Sequence, residues 1–112
     1  MEKKVEWAVN FCDGVEDDIL KMPPKLQARM LRLLELIESY GANLGAPHTA
    51  PVGNGLFEIR AKASEGIARA LFCYAQGKRI YILHAFVKKS QKLPVKELRL
   101  AQARMKEINH NE

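Results

Sequence analysis

Between Leu56 and Pro94 the chain reads LFEIRAKASEGIARALFCYAQGKRIYILHAFVKKSQKLP, three apolar strand-like runs punctuated by cations. Arg60 and Arg69 lie in the first two runs, and Lys88, Lys89 and Lys92 follow the third. Guanidinium and ammonium groups gathered at one end of a small sheet suit an anionic partner better than they suit packing. A guanidinium can hold a phosphate through two parallel hydrogen bonds. Ammonium groups on a turn can grip a nucleic-acid backbone through its phosphates. RNA also carries its own nucleophile, the 2′-hydroxyl. Cleavage needs that oxygen in line with phosphorus, a proton acceptor, a donor for the leaving 5′ oxygen, and charge stabilisation at the phosphorane. Cations can supply the last of these, so neither a metal nor another cofactor is expected.

Within that chemistry Arg69 is the expected transition-state phosphate clamp. As an arginine on a sheet face it is expected to add little to the core, so that Arg69→Ala leaves the fold intact. Arg60 is a second clamp or an orienter; the competing reading is a weak surface pair with Glu58 or Glu65. Lys89, crowded by other cations, is a candidate general acid. His84 suits acid or base work, but its place between Leu83 and Ala85 suits a hydrogen-bonded core histidine equally well. Glu58 is a weaker candidate base, because Arg60 shares its strand face. Lys88, Lys92, Lys96 and Arg99 are expected RNA contacts, against the plainer reading of a solvated basic turn. Phe72, Tyr74, Tyr81 and Phe86 fall at strand positions; base stacking is conceivable, and packing is the default. Three scattered histidines, His48, His84 and His110, with two distant cysteines do not make a zinc site.

The elements that must position these groups are legible in the rest of the chain. A length of 112 residues predicts one domain. A hydrophobic fraction of 47% with 28% charged residues is ordinary for a globular protein. No apolar run approaches the ~20 residues of a membrane span. The opening MEKKV lacks a secretory apolar region, so a cytoplasmic location is expected. Cys12 and Cys73, each beside apolar residues, read as reduced core thiols. The net charge of +5 is unevenly spread: the seven cations from Lys88 to Lys106 share that stretch with one acid, Glu97. The anion-attracting surface therefore belongs to the C-terminal half.

Val5, Trp7, Val9 and Phe11 alternate with Glu6, Ala8 and Asn10, which predicts a half-buried strand over Lys4–Phe11. Asp13 and Glu16 have the spacing of a capping box before a short helix. Met22-Pro23 ends that helix, and Pro24 suits the first turn of the next. Leu26, Met30, Leu33, Leu34, Ile37 and Tyr40 form one apolar face, and Gly41 is a fitting stop. Residues 41–55 read as a loop. Leu56–Ala61, Ile67–Ala75 and Arg79–Val87 read as an antiparallel meander joined by glycine-bearing turns. Pro94 opens a last helix with Leu98, Ala101, Met105 and Ile108 on its apolar stripe. The order β-α-α-β-β-β-α predicts a two-layer α+β fold with the helical hairpin on one sheet face and the other face partly open.

Three segments resemble a known group. Leu56-Phe57-Glu58-Ile59-Arg60, then Gly66 to Arg69, then Leu83 to Pro94 are similar in order and content to the RelE/ParE superfamily of toxins from bacterial toxin–antitoxin pairs. The likeness is greatest to its HigB-like, phage-related branch. It covers about residues 54–105, and the Phe86-to-Lys92 run is its most specific part. The resemblance implies a RelE-like fold, an endoribonuclease that cuts mRNA in the ribosomal A site, and a cognate antitoxin, often a helix-turn-helix protein. Many relatives carry Tyr three residues after the Gly-x-x-Arg arginine; here Phe72 stands there, with Tyr74 two residues on. The same superfamily includes ParE-like proteins that poison DNA gyrase without cutting nucleic acid, and fold alone does not choose between them.

Overall fold

The computed structural model describes residues 6–111. Lys4 and Val5, the start of the expected first strand, lie outside them; the strand itself, β1, spans Ala8–Phe11. The short helix α1 spans Val15–Leu20. Its cap is Gly14, at φ 82°, with no side-chain hydrogen bond. The expected capping box therefore does not form. Asp13 and Glu16 are exposed, and Glu16, Asp17 and Asp18 instead place negative charge at the helix's positive end.

Helix α2 spans Pro24–Tyr40, with proline in its first turn as expected. Leu26, Met30, Leu33, Leu34 and Ile37 are buried. Tyr40 is not: it is 53% exposed, because the helix ends there and the chain turns away at Gly41. Gly41 adopts φ 53°, and a side chain at that position would collide with the Tyr74 hydroxyl. That hydroxyl accepts the Ala42 N–H at 2.6 Å, which fixes how the chain leaves the helix.

Among the described residues five strands form one sheet in the order β1-β5-β4-β3-β2. Strands β3 (Leu56–Ala63), β4 (Gly66–Ala75) and β5 (Arg79–Lys88) are the expected antiparallel meander. Strand β1 adds in parallel to the first half of β5. The segment expected as plain loop holds a 3-10 turn, Gly41–Leu44, and a further strand, β2, at Thr49–Gly53. Its Pro51 argues against a strand on sequence, yet β2 is an edge, where a missing N–H costs no ladder bond. Buried Thr49 anchors it: its Oγ1 accepts from the Gly45 N–H at 2.7 Å and donates to the Ala42 carbonyl at 2.9 Å.

The sheet is covered on both faces. Helices α1 and α2 bury Val15, Leu26, Met30 and Ile37 against Ile59, Phe72, Ile80 and Ile82. Helix α3 (Val95–Asn111) lays Leu98, Ala101, Met105 and Ile108 over Leu56, Leu71, Cys73 and Leu83 on the opposite face. The α+β class is as expected, and α3 closes part of the face expected to be open. Burying side chains of this size is worth about 1.5–3 kcal/mol each.

One irregularity decides what that second face carries. In the β4–β5 ladder Leu71 pairs with His84 and Phe72 with Ile82, so Leu83 is an extra, bulged residue. Ile80 and Ile82 point into the α1–α2 core, as do Ala85 and Val87 beyond the bulge. Strict alternation would have sent His84 and Phe86 there. The bulge reverses the parity and turns His84, Phe86 and Lys88 toward α3. Arg104 of α3 donates to the Leu83 carbonyl at 2.6 Å, so the helix docks on the irregularity itself.

Candidate nucleic-acid interface

Glu58, Arg60, Arg69, His84, Phe86 and Lys88 share the α3-side face, because Arg60 pairs with Arg69, Glu58 and His84 both pair with Leu71, and Phe86 pairs with Arg69. Glu58 is buried between two guanidinium groups. Its Oε1 lies 3.2 Å from Arg60 Nε and its Oε2 3.9 Å from Arg69 Nε. Two cations against one carboxylate leave a net positive charge at this end of the sheet.

Arg69 departs from expectation. Its side chain is 1% exposed. Nη1 donates to the Lys92 carbonyl at 2.9 Å and Nη2 to the Gln91 carbonyl. Nε is buried without a hydrogen-bond partner. Burial pushes its pKa below the ordinary arginine value; the Glu58 charge opposes that shift and Arg60 adds to it. A phosphate cannot reach this guanidinium in the observed arrangement, so Arg69 is not a free clamp here. It also does not contribute little to the core. It is among the largest fully buried side chains of the protein and ties β4 to the segment that follows β5. The reason is its place on a central strand, beneath that segment, where a long side chain is covered.

Arg60, on β3, is more open. Its side chain is 26% exposed, and Nη2 donates to Gln91 Oε1 at 2.6 Å. The pairing with Glu58 that competed with a clamp role is present, and about a quarter of the side chain still meets solvent, with Nε buried.

His84 is enclosed as well. Nε2 lies 2.9 Å from Glu97 Oε1 on α3, with the side chain 11% exposed. A carboxylate accepts, so the proton is assigned to Nε2. Nδ1 is buried without a partner, and the ring stacks on Phe86 at 5.2 Å. This is the hydrogen-bonded core histidine that competed with the catalytic reading; no substrate atom can reach either ring nitrogen as the chain is arranged. The other oxygen of Glu97 lies 4.0 Å from Lys88 Nζ, which is half exposed.

The remaining cations form an outer rim. Lys89 and Lys92 are exposed on the segment after β5, and Lys96 and Arg99 are exposed on α3. The Lys92 N–H donates to Ser90 Oγ at 3.1 Å, which tightens that segment. The structure therefore brings Arg60, Lys88, Lys89 and Lys92 to one end of one face, with Arg69 and His84 behind them. Glu97 and Gln91 are the residues that sequence reasoning left without a role. Glu97 had a signal, as the sole acid in a cationic stretch; Gln91 had none. Tyr74, Phe57 and Phe72 form an aromatic cluster with ring centroids 5.4–6.1 Å apart on the opposite, packed side. That removes Phe72 and Tyr74 from base stacking. Among the described residues no cluster of histidine, cysteine and carboxylate could hold a metal ion.

A five-stranded sheet with a helical hairpin on one face and a cationic end on the other defines a RelE-like α+β protein. The chain belongs to the family described as Phage derived protein Gp49-like (DUF891), which matches residues 17–106. Among solved structures it is similar to a chain of the RelBE2 toxin–antitoxin complex of Mycobacterium tuberculosis. The TM-score is 0.56 with 18% identity, over 75% of this chain and 100% of that one. At that identity the likeness is one of fold. No curated protein sequence matches the chain significantly. The resemblance drawn from the three sequence segments and the expected RelE-like fold both agree with these findings.

Proposed function

We propose that residues 1–112 act as a single toxin domain of a toxin–antitoxin pair, an endoribonuclease that cuts mRNA on the ribosome and so stops translation. The observation that carries this reading is the convergence of Arg60, Lys88, Lys89 and Lys92 on one end of one sheet face, beside the buried Glu58 and Arg69, with excess positive charge. Arg60 holds the scissile phosphate with its guanidinium, which exchanges the Gln91 contact for the phosphate. Lys89 donates a proton to the leaving 5′ oxygen. Lys88, Lys92, Lys96 and Arg99 grip the message and nearby ribosomal RNA through phosphates. The 2′-hydroxyl attacks phosphorus and its proton passes to solvent water; the P–O5′ bond breaks as Lys89 protonates the leaving oxygen, and the cations stabilise the phosphorane without a metal. Arg69 and His84 are positioning residues. Arg69 sets the segment that carries Lys89 and Lys92, and His84, through Glu97, sets the start of α3. With no strong base in reach, alignment by the ribosome supplies much of the rate; positioning alone can contribute several kcal/mol. The partner that restrains it is a cognate antitoxin of the helix-turn-helix type, and both act in the cytoplasm.

The enclosure of Arg69 and His84 favours one second reading, a ParE-like toxin that binds DNA gyrase and cuts nothing. Few groups are then needed for proton transfer. Inducing the chain alone, mapping mRNA 5′ ends and assaying DNA supercoiling in the same cells separates the two. Cuts phased with codons in translated messages are expected. Intact messages with double-strand DNA breaks would move the assignment to gyrase.

A further inference from the structure

On the cationic face the Arg60 guanidinium is held from two sides. Glu58 Oε1 lies 3.2 Å from its buried Nε, and Gln91 Oε1 accepts from Nη2 at 2.6 Å. The segment that carries Gln91 is fixed from behind: Arg69 donates to the carbonyls of Gln91 and Lys92, and the Lys92 N–H donates to Ser90 Oγ. Gln91 itself is exposed. We infer that Gln91 is a specificity residue: its carboxamide keeps the phosphate position on Arg60 filled, so that a phosphodiester already aligned on the ribosome enters there in preference to free RNA. The inference rests on the ribonuclease reading above and adds to it the residue that restricts the substrate.

Two ligands compete for one nitrogen. A guanidinium holds a phosphate through two parallel N–H groups. Burial of Nε against Glu58 leaves the Nη1–Nη2 edge for that contact, and Gln91 already occupies Nη2. How the phosphate is delivered decides the exchange. The carboxamide is tethered a few bonds from a fixed backbone, which gives it a high effective concentration at Arg60. A free RNA strand must displace it while losing translational and rotational freedom. A message held in the A site has already lost that freedom, and its charged phosphate makes the stronger bond. Because Arg69 holds the backbone, the exchange needs only rotation of the Gln91 side chain, and the segment carrying Lys89 and Lys92 stays in place. The plainer role for Gln91, a polar contact that orients Arg60 toward phosphate, predicts the opposite sign: removing it would weaken RNA binding.

The test measures binding of a single-stranded RNA made uncleavable by 2′-O-methylation to the parent chain, Gln91→Ala, Arg60→Ala and the double variant, each shown folded by circular dichroism. The Gln91 carbonyl that Arg69 holds is backbone, so Gln91→Ala leaves that contact in place. Gln91→Ala is expected to bind about five-fold more tightly than the parent, the effect of freeing a charged donor from a partly exposed bond. In the Arg60→Ala background the same substitution should change nothing. Equal or weaker binding by Gln91→Ala overturns the proposal, and so does a gain that persists without Arg60. Cleavage is then compared on free and on ribosome-bound message. Gln91→Ala is expected to lower the parent's preference for bound message about five-fold; an unchanged preference overturns the specificity role. Absence of cleavage by every form, with the binding gain intact, removes the ribonuclease reading and leaves Gln91 standing as the competitor on Arg60. Cleavage by the parent without the binding gain does the reverse.

Discussion

Replacing Arg69 by alanine should destabilise the protein severely before it affects any reaction. Its guanidinium makes two hydrogen bonds to the carbonyls of Gln91 and Lys92 and neighbours the Glu58 carboxylate, with the side chain almost wholly covered. Hydrogen bonds that involve a charged group contribute about 1.5–3 kcal/mol each. Breaking a buried ion pair from one side costs about 3–5 kcal/mol. Arg60 still holds Glu58 in the variant, and the freed carbonyls lie in an exposed segment that water can reach. Both effects reduce the sum, and a loss of roughly 3 kcal/mol is expected. For a domain of this length that lowers Tm by roughly 12–20 °C. Urea unfolding followed by circular dichroism measures it, and amide exchange should show the segment around Gln91 and Lys92 losing protection first. A loss under about 1 kcal/mol, with that segment unchanged, would show that Arg69 does not hold it. Growth arrest lost by Arg69→Ala is therefore no evidence of a catalytic role unless the fold is shown to persist.

Other outcomes follow from the same contacts. Lys88→Ala with Lys89→Ala should flatten the dependence of log K on log salt for single-stranded RNA by about 1.4, two phosphates' worth; an unchanged slope would mean these lysines touch none. Glu97→Ala should free His84 Nε2 and Lys88 and loosen the first turns of α3, seen as faster amide exchange at residues 95–98; unaltered exchange would mean the contact holds nothing in place. Burial raises the Cys12 thiol above its usual pKa, with Asp13 and Glu107 adding and Arg104 opposing. Less thiolate is present at a given pH, so labelling of Cys12 by a disulfide reagent at pH 8 should be slower than that of a free thiol and should rise with pH; labelling at the free-thiol rate would contradict the burial. Phe72→Ala, which removes a fully buried ring stacked on Phe57 at 5.5 Å, should cost about 3–5 kcal/mol in the same unfolding assay.

Much of the fold was legible because its cues are local. The helix α2 face from Leu26 to Ile37, the stop at Gly41 and the three meander strands follow from period and turn chemistry alone. Strand β2 was not legible, since Ala-Pro-Val-Gly is a strand only where a neighbouring edge recruits it. The capping box failed because Gly14, with its positive φ, placed the helix start one residue away from where Asp13 could serve. At the site, residue types pointed correctly to one cationic face, since strand parity puts Glu58 and Arg60 together and register adds Arg69. Depth was not legible. Nothing in Gly-Ile-Ala-Arg says that the segment after β5 folds back over that arginine, or that Glu97 returns from a helix to meet His84. The bulge at Leu83, on which His84's direction depends, leaves no mark in the apolar run Ile80–Val87.

Translating ribosomes stalled with a defined codon in the A site, mixed with purified protein, test most directly whether the cationic face performs RNA chemistry. Cleavage of the message at that codon is expected, leaving a 2′,3′-cyclic phosphate, with Arg60→Ala at least a hundred-fold slower at a temperature where circular dichroism shows that variant folded. An intact message at saturating protein, or Arg60→Ala cutting at the parent's rate, would contradict it.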